Sequence, residues 1–196
     1  MADIAYEKQL QTATQYLAKT DPVLAPIIST HGPCIIRPHH NYYEALVGEI
    51  ISQQLSVKAA ASIHGRFIGL FNGTFPEPAA ILRRDIEEFR TAGLSRPKAR
   101  YIQDLAEQII AGKIQFDQLD KLDNAGVIAE LTAAKGIGEW TAHMFLMFCM
   151  GRLDVLAYGD LGIRSAMRDL YGLLPCQPPM KSKQLPISVI GTPMRR

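Results

Sequence analysis

With 196 residues, 47% of them hydrophobic, and a formal net charge of +2, the chain can bury a substantial core as one domain or two small lobes. Its charge is too mild to name a polyanionic partner by itself. The three scattered cysteines, Cys34, Cys149 and Cys176, argue against a disulfide framework or a four-thiolate metal site and fit a reducing compartment.

The opening "MADIAYEKQL" has no basic region followed by an apolar run, and the longest strongly apolar stretch, residues 144–150, is far too short to span a bilayer. A soluble intracellular protein is expected. Nearly every segment has a 3.6-residue apolar period and none alternates convincingly with period two, so the chain reads as all-α. The first helix presents Tyr6, Leu10, Ala13 and Leu17 on one face until Asp21-Pro22 stops it. After the loop "HGPCIIRPHH", a helix with Tyr42, Leu46 and Ile50 runs into the polar break "SQQ". Ser56 can cap the next helix, whose inward face is Ala60, Ile63, Phe67 and Leu70. Asp85 with Glu88 forms a capping-box pattern, and Gly93 sits where a left-handed residue is wanted. Ser95 starts a helix with Ile102, Leu105, Ala106 and Ile109 inside, and Asn124 is expected to cap one containing Val127, Ile128 and Leu131.

"LTAAKGIGEWTA", residues 131–142, then breaks the helical pattern. Two glycines in one short segment cost roughly 1 kcal/mol each inside a helix, so they serve a turn. Gly136 and Gly138 bracket that turn, a helix ends near Ala134, and another begins near Trp140 with Phe145, Leu146 and Cys149 inside. Backbone N–H groups at a helix start, with the positive end of its dipole, suit a phosphate, and glycine permits close approach. An ordinary helix–helix connection fits the same residues. Asp160 precedes a last helix with Leu161, Ile163, Met167 and Leu170, where a carboxylate can serve simply as an N-cap. Beyond it, residues 173–196 carry five prolines and no helical period, so residues 1–172 are expected as the folded domain and the rest as a proline-rich tail.

"KGIGEWTA" followed by "LDVLAYGDLGIR", with "IISQQLSVKAA" and "GLSRPKARYIQDLA" before them, resembles the helix-hairpin-helix glycosylase superfamily, within it the DNA-3-methyladenine glycosylase II branch. The resemblance runs from about residue 42 to 171 and keeps the four stretches in order. It implies two helical lobes with a DNA-binding cleft, a hairpin at about 131–142 gripping DNA, and a catalytic aspartate that falls on Asp160. Asp154, at the head of the same loop, is then structural.

By the same resemblance, Gln54 enters the duplex with Gln53 and Ser56 beside it in the minor groove, although "SQQ" also suits a plain polar turn. The hairpin positions Gly136, Ile137, Gly138 and Thr141 meet DNA phosphate. Trp140, Met144 and Tyr158 line the base pocket, with core anchoring as the alternative role for Trp140. No metal is required, although the carbonyls of Thr132, Ala134 and Ile137 mark a place for an alkali ion. Bifunctional relatives hold a Schiff-base lysine where Trp140 stands, so a monofunctional enzyme is implied. Lys135 lies across the turn, and Lys98 is expected to meet backbone phosphate or solvent.

The implied activity is excision of alkylated purines from double-stranded DNA. Alkylation puts positive charge on the base, the target is rotated out of the stack, and Asp160 supports the cationic sugar and a water nucleophile. No cofactor is expected, and no iron–sulfur cluster, whose four closely spaced cysteines the chain lacks. A monomer is expected, cytoplasmic and nucleoid-associated in a bacterium or nuclear in a eukaryote. A monofunctional glycosylase for uracil, hypoxanthine or mismatched bases, and a non-catalytic DNA-binding module, remain the alternatives. Two departures stand out: Met144 occupies a position often aromatic in relatives, and the proline-rich tail replaces a further helix rich in Trp, Tyr and Arg.

Overall fold

A computed structural model describes residues 2–39 and 41–173. Every regular element among them is helical, and none of these helices is long and apolar enough to cross a membrane. A first compact unit ends at Asp160 and a second begins at Leu161. The expected proline-rich tail lies, apart from Leu173, outside the described residues.

Helix α1 spans Ala2–Thr20 and packs against α2, Leu24–His31. Asp21 does stop α1, but its carboxylate also accepts the Val23 and Leu24 N–H groups at 2.8 and 3.1 Å and starts α2. The expected loop at 31–40 begins where anticipated, just after His31, and the unexpected element is α2 itself, a short helix of eight residues in which Pro26 and two hydroxyl side chains blur any helical pattern. Of the inner face expected for α1, only Leu10 is buried, while Ala13 and Leu17 are exposed. One small neighbouring helix covers a narrow stripe.

The core of the first unit is built around α3, Tyr42–Ser52, which packs on α4 (Val57–Gly69), α7 (Arg96–Ile110) and α9 (Glu139–Phe148). Helices α5 (Pro78–Leu82) and α6 (Ile86–Thr91) lie against α7, and α8 (Asn124–Thr132) lies against α9. Leu46, Val47, Ile50 and Ile51 of α3 are buried, and Phe67 contacts the Phe71, Phe75 and Phe89 rings. Cutting such a buried ring to alanine costs about 3–5 kcal/mol.

The capping signals act as the sequence suggests at three of four places. The Ser56 and Ser95 hydroxyls accept the Ala59 and Lys98 N–H groups, and Asp85 and Glu88 complete their reciprocal box. Gly93 takes φ +97°. At α8 the cap is Asp123, which accepts the Gly126 N–H at 2.7 Å. Asn124 is one residue inside the helix, and its amide oxygen accepts from Arg152 at 2.8 Å. Both residue types cap well, so the pattern fixes the helix start only to within one position.

Arg152 also donates to the carbonyls of Leu119 (3.1 Å) and Leu122 (2.6 Å), pinning the loop that follows α9 to the entry of α8. That loop, residues 152–160, carries Tyr158 and Asp160. The second unit begins with α10, Leu161–Tyr171, which directly follows Asp160 in sequence.

Candidate functional site

The hairpin is a tight turn between α8 and α9, closed by the Ile137 N–H donating to the Ala134 carbonyl at 3.2 Å. Gly136 has φ +85°, and a methyl added there would overlap the Tyr101 ring. Fold geometry alone therefore demands this glycine. Gly138 is different: φ is an ordinary −94° and no atom beyond its two chain neighbours lies within 4 Å of where a Cβ would stand. Its bareness serves nothing inside the described structure.

Gly138 is the N-cap of α9 and offers no side-chain cap, and the first intrahelical bond is Ala142 N–H to the Gly138 carbonyl. The helix thus supplies no acceptor for the N–H groups of its first three residues, Glu139, Trp140 and Thr141. The Ile137 and Thr141 side chains are buried. Only their backbone can face an anion, because both side chains belong to the core beneath the turn.

Trp140 is 44% exposed and so is no core anchor. Its Nε1–H donates to Asp160 Oδ2 at 2.7 Å, joining the start of α9 to the end of the loop. Two further contacts fasten the same loop. The Tyr158 hydroxyl donates to Glu139 Oε1, and the Tyr158 ring meets the buried His143 edge-on, with centroids 5.4 Å apart. The hydrogen bond to Glu139 raises the Tyr158 pKa, so the phenol stays protonated as a donor. Met144, one turn beyond Trp140 on α9, is partly buried.

The break after α3 forms an exposed turn. Gln54 has φ +57°, a left-handed conformation that costs a non-glycine residue roughly 1–2 kcal/mol. Ser56 serves this turn as the cap of α4. Gln53, expected beside the duplex, turns inward: its Nε2–H donates to the Gly136 carbonyl at 2.8 Å.

Lys98 departs from its expected place at a phosphate or in solvent. Its ammonium donates to the Ile51 and Gln53 carbonyls at 2.8 and 2.6 Å, because the end of α3 presents acceptors within its reach. Partial burial there lowers its pKa. Lys135 pairs at 3.1 Å with Asp104, a carboxylate only 8% exposed that also accepts the Lys135 backbone N–H at 2.9 Å.

Sequence reasoning passed over Tyr101 and Asp104. A signal was present: Lys98, Tyr101 and Asp104 follow one another at i, i+3 and i+6 of α7, and an aspartate adjoining that helix's apolar stripe needs a partner. The structure thus assembles Trp140, Tyr158 and Asp160 at one place, and Gln53 with the hairpin turn beside it.

The model of the family described as "HhH-GPD superfamily base excision DNA repair protein" matches residues 47–186. A DNA-3-methyladenine glycosylase 1 of Schizosaccharomyces pombe is 41% identical over 133 residues, 67% of this chain and 58% of that protein. The chain therefore spans less than two thirds of that relative's length. The crystal structure of a DNA-3-methyladenine glycosidase from Bacillus halodurans superposes with a TM-score of 0.73 at 40% identity, covering 80% of this chain and 72% of that one. A 3-methyladenine DNA glycosylase of Schizosaccharomyces pombe in complex with abasic DNA gives 0.72 at 35%, covering 84% and 82%.

Proposed function

The chain belongs to the HhH-GPD superfamily of base excision DNA repair proteins, and from that premise we propose that it is a monofunctional DNA glycosylase that frees alkylated purines from duplex DNA. The observation that carries the reading is the Trp140–Asp160 bond at the start of α9, directly after the hairpin turn. The 3-methyladenine glycosylases among its relatives suggest the substrate class.

A DNA phosphate sits over Gly138, on the N–H groups at the start of α9. The target nucleotide leaves the stack at a cost of a few kcal/mol, which damage lowers, and Gln54 fills the gap. The indole is held by its edge, so a face of the ring can receive a cationic purine, worth roughly 0.5–2 kcal/mol. Alkylation has already weakened the glycosidic bond. As it breaks, the sugar gains positive charge, and the Asp160 carboxylate stabilises that charge and orients the attacking water.

The abasic strand is left uncut. The indole of Trp140, at the position where bifunctional relatives carry a Schiff-base lysine, has no amine to attack the sugar, and two lysines beside the turns are engaged elsewhere, Lys135 with Asp104 and Lys98 with two carbonyls. The reaction calls for no cofactor and no iron–sulfur cluster. The Ala134 carbonyl lies in the hairpin turn with those of Thr132 and Ile137, and its second lone pair suits a hard cation such as an alkali ion that steadies the turn. The protein acts as a monomer on damaged double-stranded DNA, in the cytoplasm or nucleus.

The test is single-turnover release from duplexes carrying 3-methyladenine or 7-methylguanine. Asp160→Asn is expected to slow release by at least roughly a hundredfold, the scale of removing a preorganised charge partner, while duplex affinity stays within twofold. Equal release by wild type and variant, or a preference for uracil or hypoxanthine, would overturn the reading. A borohydride-trapped protein–DNA adduct would overturn its monofunctional part.

A further inference from the structure

Two turns placed against DNA in the proposed function are tied together by side chains that the chemistry does not use. Gln53 reaches from the turn after α3 to the hairpin carbonyl of Gly136 at 2.8 Å. Behind both turns runs one face of α7. Lys98 holds the carbonyls of Ile51 and Gln53, the Tyr101 ring fills the space against Gly136, and Asp104 grips the Lys135 backbone. The two acceptors of Lys98 are neutral, so these bonds fix the direction of two carbonyls at the negative end of α3. The next residue, Gln54, is itself in the left-handed region, and where its side chain points follows from how Gln53 is held.

We propose that Lys98 and Gln53 are positioning residues that couple the turn at 53–56 to the hairpin turn at 133–138, so that seating a duplex on the hairpin sets where Gln54 stands. The inference rests on the glycosylase reading for its purpose. The coupling itself can be measured without base release.

Amide hydrogen exchange on the whole protein, free and with an undamaged duplex, provides that measurement. In the wild type the duplex slows exchange in both turns. In Gln53→Leu it slows the hairpin alone. Lys98→Met speeds exchange at 53–56 by about tenfold while α5 and α6 keep wild-type rates, the mark of a local rather than global opening, and Lys98→Arg restores the slow rate. Base release by Lys98→Met falls roughly ten- to hundredfold, as expected when a group is misplaced by about 1 Å, with the salt dependence of duplex binding unchanged.

Joint slowing of both turns in Gln53→Leu would overturn the coupling. So would a salt slope reduced by about one in Lys98→Met, which would make Lys98 a phosphate contact. If the wild type frees no base from any lesion while the exchange pattern holds, the glycosylase reading fails and the coupling stands.

Discussion

Trp140 and Asp160 are joined across the loop that separates α9 from α10: the indole Nε1–H donates to Oδ2 at 2.7 Å. The bond gives the carboxylate a fixed direction and fixes the plane of the indole at the same time. The residue proposed for the base pocket and the residue proposed for catalysis are therefore joined by one bond.

Trp140→Phe keeps an aromatic face and deletes the donor. A hydrogen bond to a charged group is worth roughly 1.5–3 kcal/mol, so single-turnover base release should fall by roughly ten- to a hundredfold. Affinity for an undamaged duplex should stay within twofold of wild type. Release at the wild-type rate would show that the bond does not orient the carboxylate.

The two hairpin glycines should behave oppositely when changed to alanine. Gly136→Ala combines a left-handed backbone with a methyl driven into Tyr101, and the two effects together cost about 2–5 kcal/mol of stability. Gly138→Ala meets an ordinary φ and open space, so urea unfolding should move by only about 0.5–1 kcal/mol, the disadvantage of alanine against glycine at an N-cap. Its effect should fall on DNA, as a several-fold weaker Kd, because the methyl would stand where the proposed phosphate approaches. A Gly138→Ala protein with unaltered affinity would remove the phosphate from that turn.

These contrasts mark what was legible in the sequence. The caps at Ser56, Asp85 and Ser95 are local events between residues two or three apart, so the pattern locates them, though at α8, where Asp123 and Asn124 adjoin, only to within one position. The hairpin was visible as two glycines in a helical stretch, but their division of labour was not, because it depends on Tyr101 arriving from α7. The contacts of Lys98 and Gln53 were hidden for the same reason: their partners lie 45 and 83 residues away. The inner face of α1 was overestimated because periodicity says which residues share a stripe, not whether a neighbour covers it.

Asp104 gives the hairpin a pH dependence. Burial by itself would raise its pKa, but the Lys135 N–H and ammonium more than offset this and hold it below the ordinary carboxylate value. A depressed pKa contributes stability that is fully present above the unfolded value of about 4 and is lost as pH falls through the folded value. Urea midpoints between pH 6 and pH 3 should therefore drop more steeply for the wild type than for Asp104→Asn. Parallel curves would mean that the pair contributes no such stability.

Asp123 and Asn124 adjoin in sequence yet support different things. Asp123→Ala removes the cap of α8 and should cost about 0.5–2 kcal/mol in urea unfolding, with base release unaffected under conditions where the protein is folded. Asn124→Ala leaves the cap but takes one of three acceptors from Arg152 and the long bond that the Asn124 amide donates to the Asp154 carbonyl of the same loop at 3.4 Å, while Arg152 still holds two carbonyls, so its stability loss should stay at about 1 kcal/mol. The loop that Arg152 pins ends at Asp160, and looser pinning misplaces the carboxylate. Asn124→Ala should therefore slow single-turnover release several-fold at full folding. If Asp123→Ala slowed release as much, the effect would come from α8 as a whole, and the route from Arg152 to Asp160 would be excluded.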